Sequence, residues 1–319
     1  MNFQDLKNVE TSQFYLDVAF NKASKKASLM RSKKINNMLT KSRRIEEARI
    51  SSVRDTIITA LNRIITSFPN LDNLPEFYEE LVKVTLDYEK VKKALASINW
   101  ARTKVNELSG VYFRKMRTVK ERSDASAVRM QYYGRISSVL ARIDKHLKLL
   151  EGARKAMKDY PAIKTSLFTV AIAGFPNVGK STLLSKLTTS TPEIKNYAFT
   201  TKKLNVGYLV DGAVKVQFVD TPGTLNRFDK MNQIEKQAFL AMKYVADMVV
   251  FVFDLTETYP VDNQEKLLER LKEFDKEIIL YLSKTDLLDD KTIKEFKVKY
   301  KVAASIEGLK ENIIKKSKV

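Results

Sequence analysis

Apolar positions in residues 1–160 recur three and four apart, whereas from Leu167 onward they gather into short continuous runs. The first pattern predicts amphipathic helices and the second predicts strands alternating with helices. Thr11 to Ala27 suits a first helix with Ser12 as its N-cap. A second runs from about Ser32 towards Phe68 through Ile50, Val53, Ile57, Leu61 and Ile64, and stops at Phe68-Pro69-Asn70. Pro75 is placed to open a third helix. There Phe77, Leu81, Val84, Tyr88, Val91, Leu95 and Ile98 form a heptad seam, which Arg102 interrupts and Val105, Leu108 and Tyr112 resume. Unbroken from Pro75 to Val119, this helix would be ~65–70 Å long at ~1.5 Å per residue. A fourth carries Ile136, Val139, Leu140, Ile143, Leu147 and Leu150 and ends near Asp159-Tyr160-Pro161. Such helices predict an elongated antiparallel bundle over residues 1–162. The tyrosines and Trp100 suit packing better than a base-stacking platform.

In residues 163–319 the runs predict strands at 167–173, 204–210, 213–219, 248–254, 278–282 and 300–304. Helices are expected at 180–188, 231–246, 262–275, 290–298 and 306–316. This alternation predicts an α/β domain on a mostly parallel six-stranded sheet, with its site in loops at the carboxyl ends of strands. Asp211-Gly212 suits a hairpin turn, so one edge pair should be antiparallel.

Composition narrows the chemistry. There is no cysteine, which excludes disulfides, zinc-thiolate sites and thiol catalysis. The single histidine, His146, cannot build a histidine metal site alone and reads as an exposed helix residue. The first ten residues lack the apolar core of a signal peptide, and no apolar run approaches a membrane span, so a cytoplasmic, monomeric protein is expected. The net charge of +19 is unevenly spread: residues 1–165 hold 33 Lys+Arg against 18 Asp+Glu. Two stretches concentrate it, 22–54 with eleven Lys+Arg and 114–122 with five. A polyanion is the expected partner of this half, with RNA or DNA ahead of an anionic membrane, whose apolar helix face is missing here.

The run ending at Ala173 leads into Gly174-Phe175-Pro176-Asn177-Val178-Gly179-Lys180-Ser181, a phosphate loop. Its glycines allow close backbone approach. The N–H groups of Asn177, Val178 and Gly179, with the helix start through Thr182, would surround phosphate with donors. Lys180 would reach the β- and γ-phosphates and the Ser181 hydroxyl would ligate Mg²⁺. Val219-Asp220-Thr221-Pro222-Gly223 ends an apolar strand, where Asp220 can hold the Mg²⁺ shell and the Gly223 N–H can face the γ-phosphate. In Ser283-Lys284-Thr285-Asp286 the aspartate can accept from the N1 and N2 groups of guanine, which adenine lacks. Val302-Ala303-Ala304-Ser305 ends the next strand, where a backbone N–H at Ala304 or Ser305 can meet the guanine O6. Four motifs in this order and spacing are those of a GTPase.

Through Asn177 and Asn196-Tyr197-Ala198-Phe199-Thr200-Thr201 the chain resembles the Obg-like group of translation-factor-related GTPases. Within that group it is similar to the Nog subfamily, nucleolar GTPases of large ribosomal subunit assembly and their archaeal counterparts. Phe68-Pro69-Asn70-Leu71-Asp72, Pro75-Glu76-Phe77-Tyr78 and Thr11-Ser12 extend the likeness into the helical half. The resemblance implies that Thr201 is the switch residue on Mg²⁺ beside Ser181, that Asp220 acts through water, and that 224–232 moves on hydrolysis. It also implies catalytic roles for Lys180, Thr201, Gly223 and Asn177. Thr224 stands where Ras-type enzymes orient water with glutamine, so slow intrinsic hydrolysis is expected, with K⁺ held by Asn177 or a partner supplying charge. Ser283 replaces the usual asparagine of the guanine motif, which predicts weaker base binding. The short region after the last helix implies an archaeal-like short form without the eukaryotic carboxyl-terminal extension. The expected function is a GTP-hydrolysing switch that binds ribosomal RNA on large-subunit precursors. The alternatives are an RNA-binding scaffold that senses GTP or GDP with negligible turnover, and a membrane-associated GTPase with a helical stalk.

Overall fold

The computed structural model describes residues 3–188, 205–221, 233–256, 259–303 and 305–318. They form two compact units: the chain up to Asn73 with Leu86–Tyr160, and Leu74–Thr85 with the chain from Pro161 onward.

The first unit is a four-helix bundle of α1 (Ser12–Arg31), α2 (Met38–Ser67), α4 (Tyr88–Thr118) and α5 (Arg122–Lys158). Each packs through one stripe. On α4 the buried positions are Val91, Ala94, Ile98, Ala101, Val105, Ser109, Tyr112 and Met116, which keep the heptad steps while moving the seam from Leu95 to Ala94. On α5 the expected Ile136, Val139, Leu140, Ile143, Leu147 and Leu150 are all buried. Ala19, Ala23 and Ala27 give α1 a small-residue face with no exposed surface to speak of. The Ser109 and Tyr132 hydroxyls meet at 2.9 Å inside the bundle, and burial pushes the Tyr132 hydroxyl far above its ordinary pKa. His146 lies half-buried on α5 rather than exposed, and its pKa is lowered by desolvation and the charges of Lys145 and Lys93. Trp100 is 43% exposed, so it is not the packing residue its type suggested.

Helix boundaries depart from the sequence reading in three places. Thr11, not Ser12, caps α1, accepting from the Phe14 N–H. Ser12 instead donates its N–H and hydroxyl to Asp144 at 2.9 and 2.7 Å, so its side chain is committed to α5. The helix expected from Ser32 starts only at Met38, where Asn37 accepts from the Thr40 N–H. The long helix from Pro75 divides into α3 (Glu76–Thr85) and α4, because Asp87 accepts from the Lys90 N–H and starts a new helix. Its apolar stripe therefore serves two cores. Phe77, Tyr78, Leu81 and Val82 are buried in the second unit, where α3 packs on α7 (Gln233–Tyr244).

The second unit is built on a sheet in the order β2-β3-β1-β4-β5: β1 (Thr169–Ala173), β2 (Val206–Asp211), β3 (Val214–Asp220), β4 (Met248–Phe253) and β5 (Glu277–Leu282). All neighbours are parallel except β2 with β3, the expected edge hairpin, whose Gly212 has a φ of 56°. The remaining helices are α6 (Lys180–Leu187), α8 (Val261–Lys272), α9 (Asp290–Lys299) and α10 (Ile306–Lys316). The expected sixth strand at 300–304 is a single bridge, Leu280 to Val302. Tyr300 ends α9 and Ser305 caps α10, which leaves too few residues for a ladder. The described sheet has five strands.

β1 and β4 are buried along their whole length, as central parallel strands must be. Tyr78 ties α3 to the entry of this unit: its hydroxyl lies 2.8 Å from the Pro161 carbonyl and accepts from the Ile163 N–H at 2.9 Å. The central strands thus hold the loops at their carboxyl ends against a packed base.

Candidate nucleotide site

Gly174 to Gly179 turns sharply from β1 into α6. Gly174 has a φ of 147°, and a Cβ there would lie 2.6 Å from the Val252 carbonyl oxygen of β4, so only glycine fits. Asn177 and Gly179 have φ values of 61° and 95°. Gly179 is the N-cap of α6 and provides no side-chain acceptor, so the first amides of the helix face a ligand position as donors. Val178 is fully buried and anchors the loop, while Asn177, Ser181 and Thr182 are exposed.

Lys180 is 7% exposed and its ammonium donates to the Phe175 carbonyl at 2.7 Å. Desolvation lowers its pKa, partly offset by the Asp220 charge. Ser181 donates its hydroxyl to Asp220 Oδ2 at 2.6 Å, and Asn205 Nδ2 donates to the same oxygen at 3.1 Å. Asp220 Oδ1 is buried and has no hydrogen-bond partner among the described residues. Burial raises the Asp220 pKa, with Ser181, Lys180 and Asn205 pulling the other way. Both charges are thus held in a dry place with less compensation than they need. An anion at Lys180 and a hard cation at Asp220 and Ser181 would complete it, and oxygen donors of this kind suit Mg²⁺.

The guanine motif adjoins this loop. A Cβ on Gly179 would sit 3.6 Å from Ser283 Cβ. Ser283 is buried and donates its hydroxyl to the Phe253 carbonyl at 2.8 Å, so the residue in the asparagine position is committed to the end of β4. Lys284 adopts a left-handed φ of 51° and pairs with Asp254 at 2.6 Å. Burial alone would raise the Asp254 carboxyl, but Lys284 and the two donors of Thr256 hold it below its ordinary pKa. Gln264 brackets the Asp254 backbone, accepting from its N–H at 3.0 Å and donating to its carbonyl at 2.7 Å. Asp286 is exposed on the short turn Thr285–Leu287. The Ser305 hydroxyl accepts from the Gly308 N–H as the cap of α10, and the Ala303 N–H reaches the Leu280 carbonyl.

Asn177, Val178, Gly179, Lys180, Ser181, Thr182 and Asp220 therefore converge, with Lys284 and Asp286 on the loop beside them. Thr200, Thr201, Gly223, Thr224 and Ala304 lie outside the described residues. Sequence reasoning missed Asn205 and Asp254. Asp254 follows the apolar run of β4 directly, a position that flags a site residue; Asn205 carries no such signal, because only the β2–β3 pairing brings it to Asp220.

Both halves of the chain match known families. Residues 3–164 match the NOG1 N-terminal helical domain and residues 169–284 match a 50S ribosome-binding GTPase family. An uncharacterised protein of Methanocaldococcus jannaschii is 38% identical over 280 residues, covering 86% of this chain and 78% of that protein. Nucleolar GTP-binding protein 1 of Drosophila melanogaster is 29% identical over 299 residues, covering 92% of this chain and 46% of that protein. The same protein of Arabidopsis thaliana is 29% identical over 301 residues, covering 92% and 44%. The chain thus spans less than half the length of these two nucleolar relatives. Among solved structures, the cytosolic domain of the Thermotoga maritima FeoB iron transporter matches 48% of this chain and 65% of its own at 26% identity, with a TM-score of 0.38. With a helical domain and a GTPase domain matched in series, the chain belongs to the nucleolar GTP-binding protein 1 family.

Proposed function

We propose that this protein is a slow GTP-hydrolysing switch that takes Mg²⁺ with its nucleotide and meets ribosomal RNA of large-subunit precursors through its basic helical unit. The observation that carries the reading is the Ser181 hydroxyl held between the buried Lys180 and Asp220, beside the Lys284–Asp254 pair, a phosphate and metal position next to a guanine position. Mg²⁺ would shield phosphate charge there, held by Ser181 and Thr201 directly and by Asp220 through water. The amides of Val178 to Thr182 would fix the β-phosphate, Lys180 would bridge to the γ-phosphate, and Asp286 would accept from guanine. Thr201 and Gly223 would sense the γ-phosphate and couple its loss to 224–232. Asn177 would place K⁺ where Thr224 provides no water-orienting amide. The relatives' names and the +15 charge of residues 1–165 support the ribosomal partner.

Multiple-turnover GTP hydrolysis, measured with and without large ribosomal subunits and in KCl against NaCl, tests the reading. A rate that rises with subunits and with K⁺ is expected. Binding to subunits with no turnover under any condition would leave the nucleotide-sensing scaffold, which Thr224 favours. Equal rates in the two salts would remove the K⁺ role alone.

A further inference from the structure

The two basic stretches, some seventy residues apart in sequence, meet at one end of the four-helix bundle. The α1–α2 turn and the α4–α5 turn lie together there, joined by the Arg43 guanidinium donating to the Val119 carbonyl. Between them is a cavity of about 320 Å³, lined by Arg31 from the end of α1, Met38, Lys41, Ser42 and Glu46 from the first turns of α2, and Arg122 from the first turn of α5.

Two features bear on what this cavity can hold. First, the side chains of Arg31, Lys41 and Arg122 take part in no ion pair or hydrogen bond among the described residues. Second, the one acid in the lining is already compensated. Glu46 is 8% exposed, with Arg49 Nη1 at 3.3 Å and Arg129 Nε at 2.7 Å. Two guanidinium groups, Arg49 and Arg129, share this one carboxylate, and the Nε groups of Arg43 and Arg49 are buried without a hydrogen bond among the described residues, so cations outnumber the carboxylate behind the cavity wall as well. Converging unpaired cations repel one another, and an anion seated among them removes that repulsion.

We infer that this cavity is a phosphate-binding site for the RNA backbone, with Arg31, Lys41 and Arg122 closing on one or two adjacent phosphates and the Ser42 hydroxyl available as a neutral donor. Leu29 and Met38, 70% and 55% exposed at the same end, offer apolar surface to an adjoining sugar or base. The inference rests on the reading above that the helical unit meets RNA, and it names where.

The test uses the full chain, end-labelled large-subunit ribosomal RNA freed of protein, and fluorescence anisotropy over a KCl series. The triple variant Arg31→Glu, Lys41→Glu, Arg122→Glu is compared with Lys93→Glu, Arg142→Glu, Lys145→Glu, an equal charge change elsewhere on the bundle. The neutral Arg31→Gln, Lys41→Gln, Arg122→Gln variant separates lost contacts from new repulsion. Binding of a fluorescent GDP analogue and the helical circular dichroism signal confirm that every variant is folded. The cavity variants should bind at least about tenfold more weakly, with the slope of log K against log salt reduced by about two to three, whereas the control should keep the wild-type slope to within about one. Equal losses in the two glutamate triples would overturn the site and leave diffuse attraction. Wild-type binding by the cavity triple would overturn it while sparing the RNA reading. Failure of the wild type to bind ribosomal RNA would overturn both. Binding of the wild type to phosphatidylglycerol vesicles and not to RNA, lost in the cavity triple, would assign the cavity to a membrane and also overturn it.

Discussion

Gly174 has no room for a side chain, since the Val252 carbonyl already occupies the space a Cβ would need. The glycine spacing of the loop is legible in the sequence because this steric demand is local. The partners that hold the site are not. Asp254 sits thirty residues before Lys284, and nothing in either neighbourhood announces the pair. Because Lys284 is half-buried in a left-handed conformation, its ammonium depends on that carboxylate for direction. Asp254→Asn preserves shape and the Thr256 contacts but removes the charge. It should weaken GDP binding by about tenfold, about 1.4 kcal/mol, in a fluorescent-nucleotide titration, with helix content unchanged. Wild-type affinity would show that the pair does not position the guanine loop. At Ser283 the structure adds a reason for the expected weakness: its hydroxyl is spent on the Phe253 carbonyl, whereas an asparagine could reach further.

Helix positions were readable from periodicity, but their ends were set by contacts across the fold. α1 begins where Asp144 of α5 accepts from Ser12, which frees Thr11 to cap. Hydrogen bonds from Lys148 and Ser12 hold the Asp144 carboxyl at about 2, below its ordinary 3.8. A depressed acid of this kind adds stability that is fully present above the unfolded value and disappears as pH falls through the folded value. Asp144→Ala should therefore cost about 1 kcal/mol near neutral pH in urea unfolding. The difference from wild type should shrink between pH 4 and pH 2; a loss that stays constant over that range would place its origin elsewhere. The division of the expected long helix at Asp87 has the same cause at larger range. The heptad stripe runs on through Leu86 and Asp87, yet the side-chain cap and two separate cores take its halves apart.

For the whole molecule, α3 is the element that complicates a division by sequence. It lies within the segment that matches the helical family domain but is built into the nucleotide-binding unit, where Tyr78 bonds the chain at Pro161 and Ile163. Tyr78→Phe would remove the buried hydroxyl that accepts from the Ile163 N–H at 2.9 Å and lies 2.8 Å from the Pro161 carbonyl, leaving that N–H only its 3.0 Å contact with Pro161. That should cost about 0.5–1.5 kcal/mol, read as a lower urea midpoint with α3 and the nucleotide site probed together. An unchanged midpoint would show that apolar packing alone holds α3. The sequence by itself determined the helical half, the α/β half and the GTPase identity, because apolar period and phosphate-loop geometry are set by neighbours a few residues apart. Only the tertiary structure decided that the expected sixth strand is reduced to the single bridge at Val302, that α3 leaves its own heptad run, that Asn205 meets Asp220 and that Asp254 pairs with Lys284. It alone also brought Arg31, Lys41 and Arg122 around one cavity, since charge separated along the chain becomes a site only when packing closes the distance.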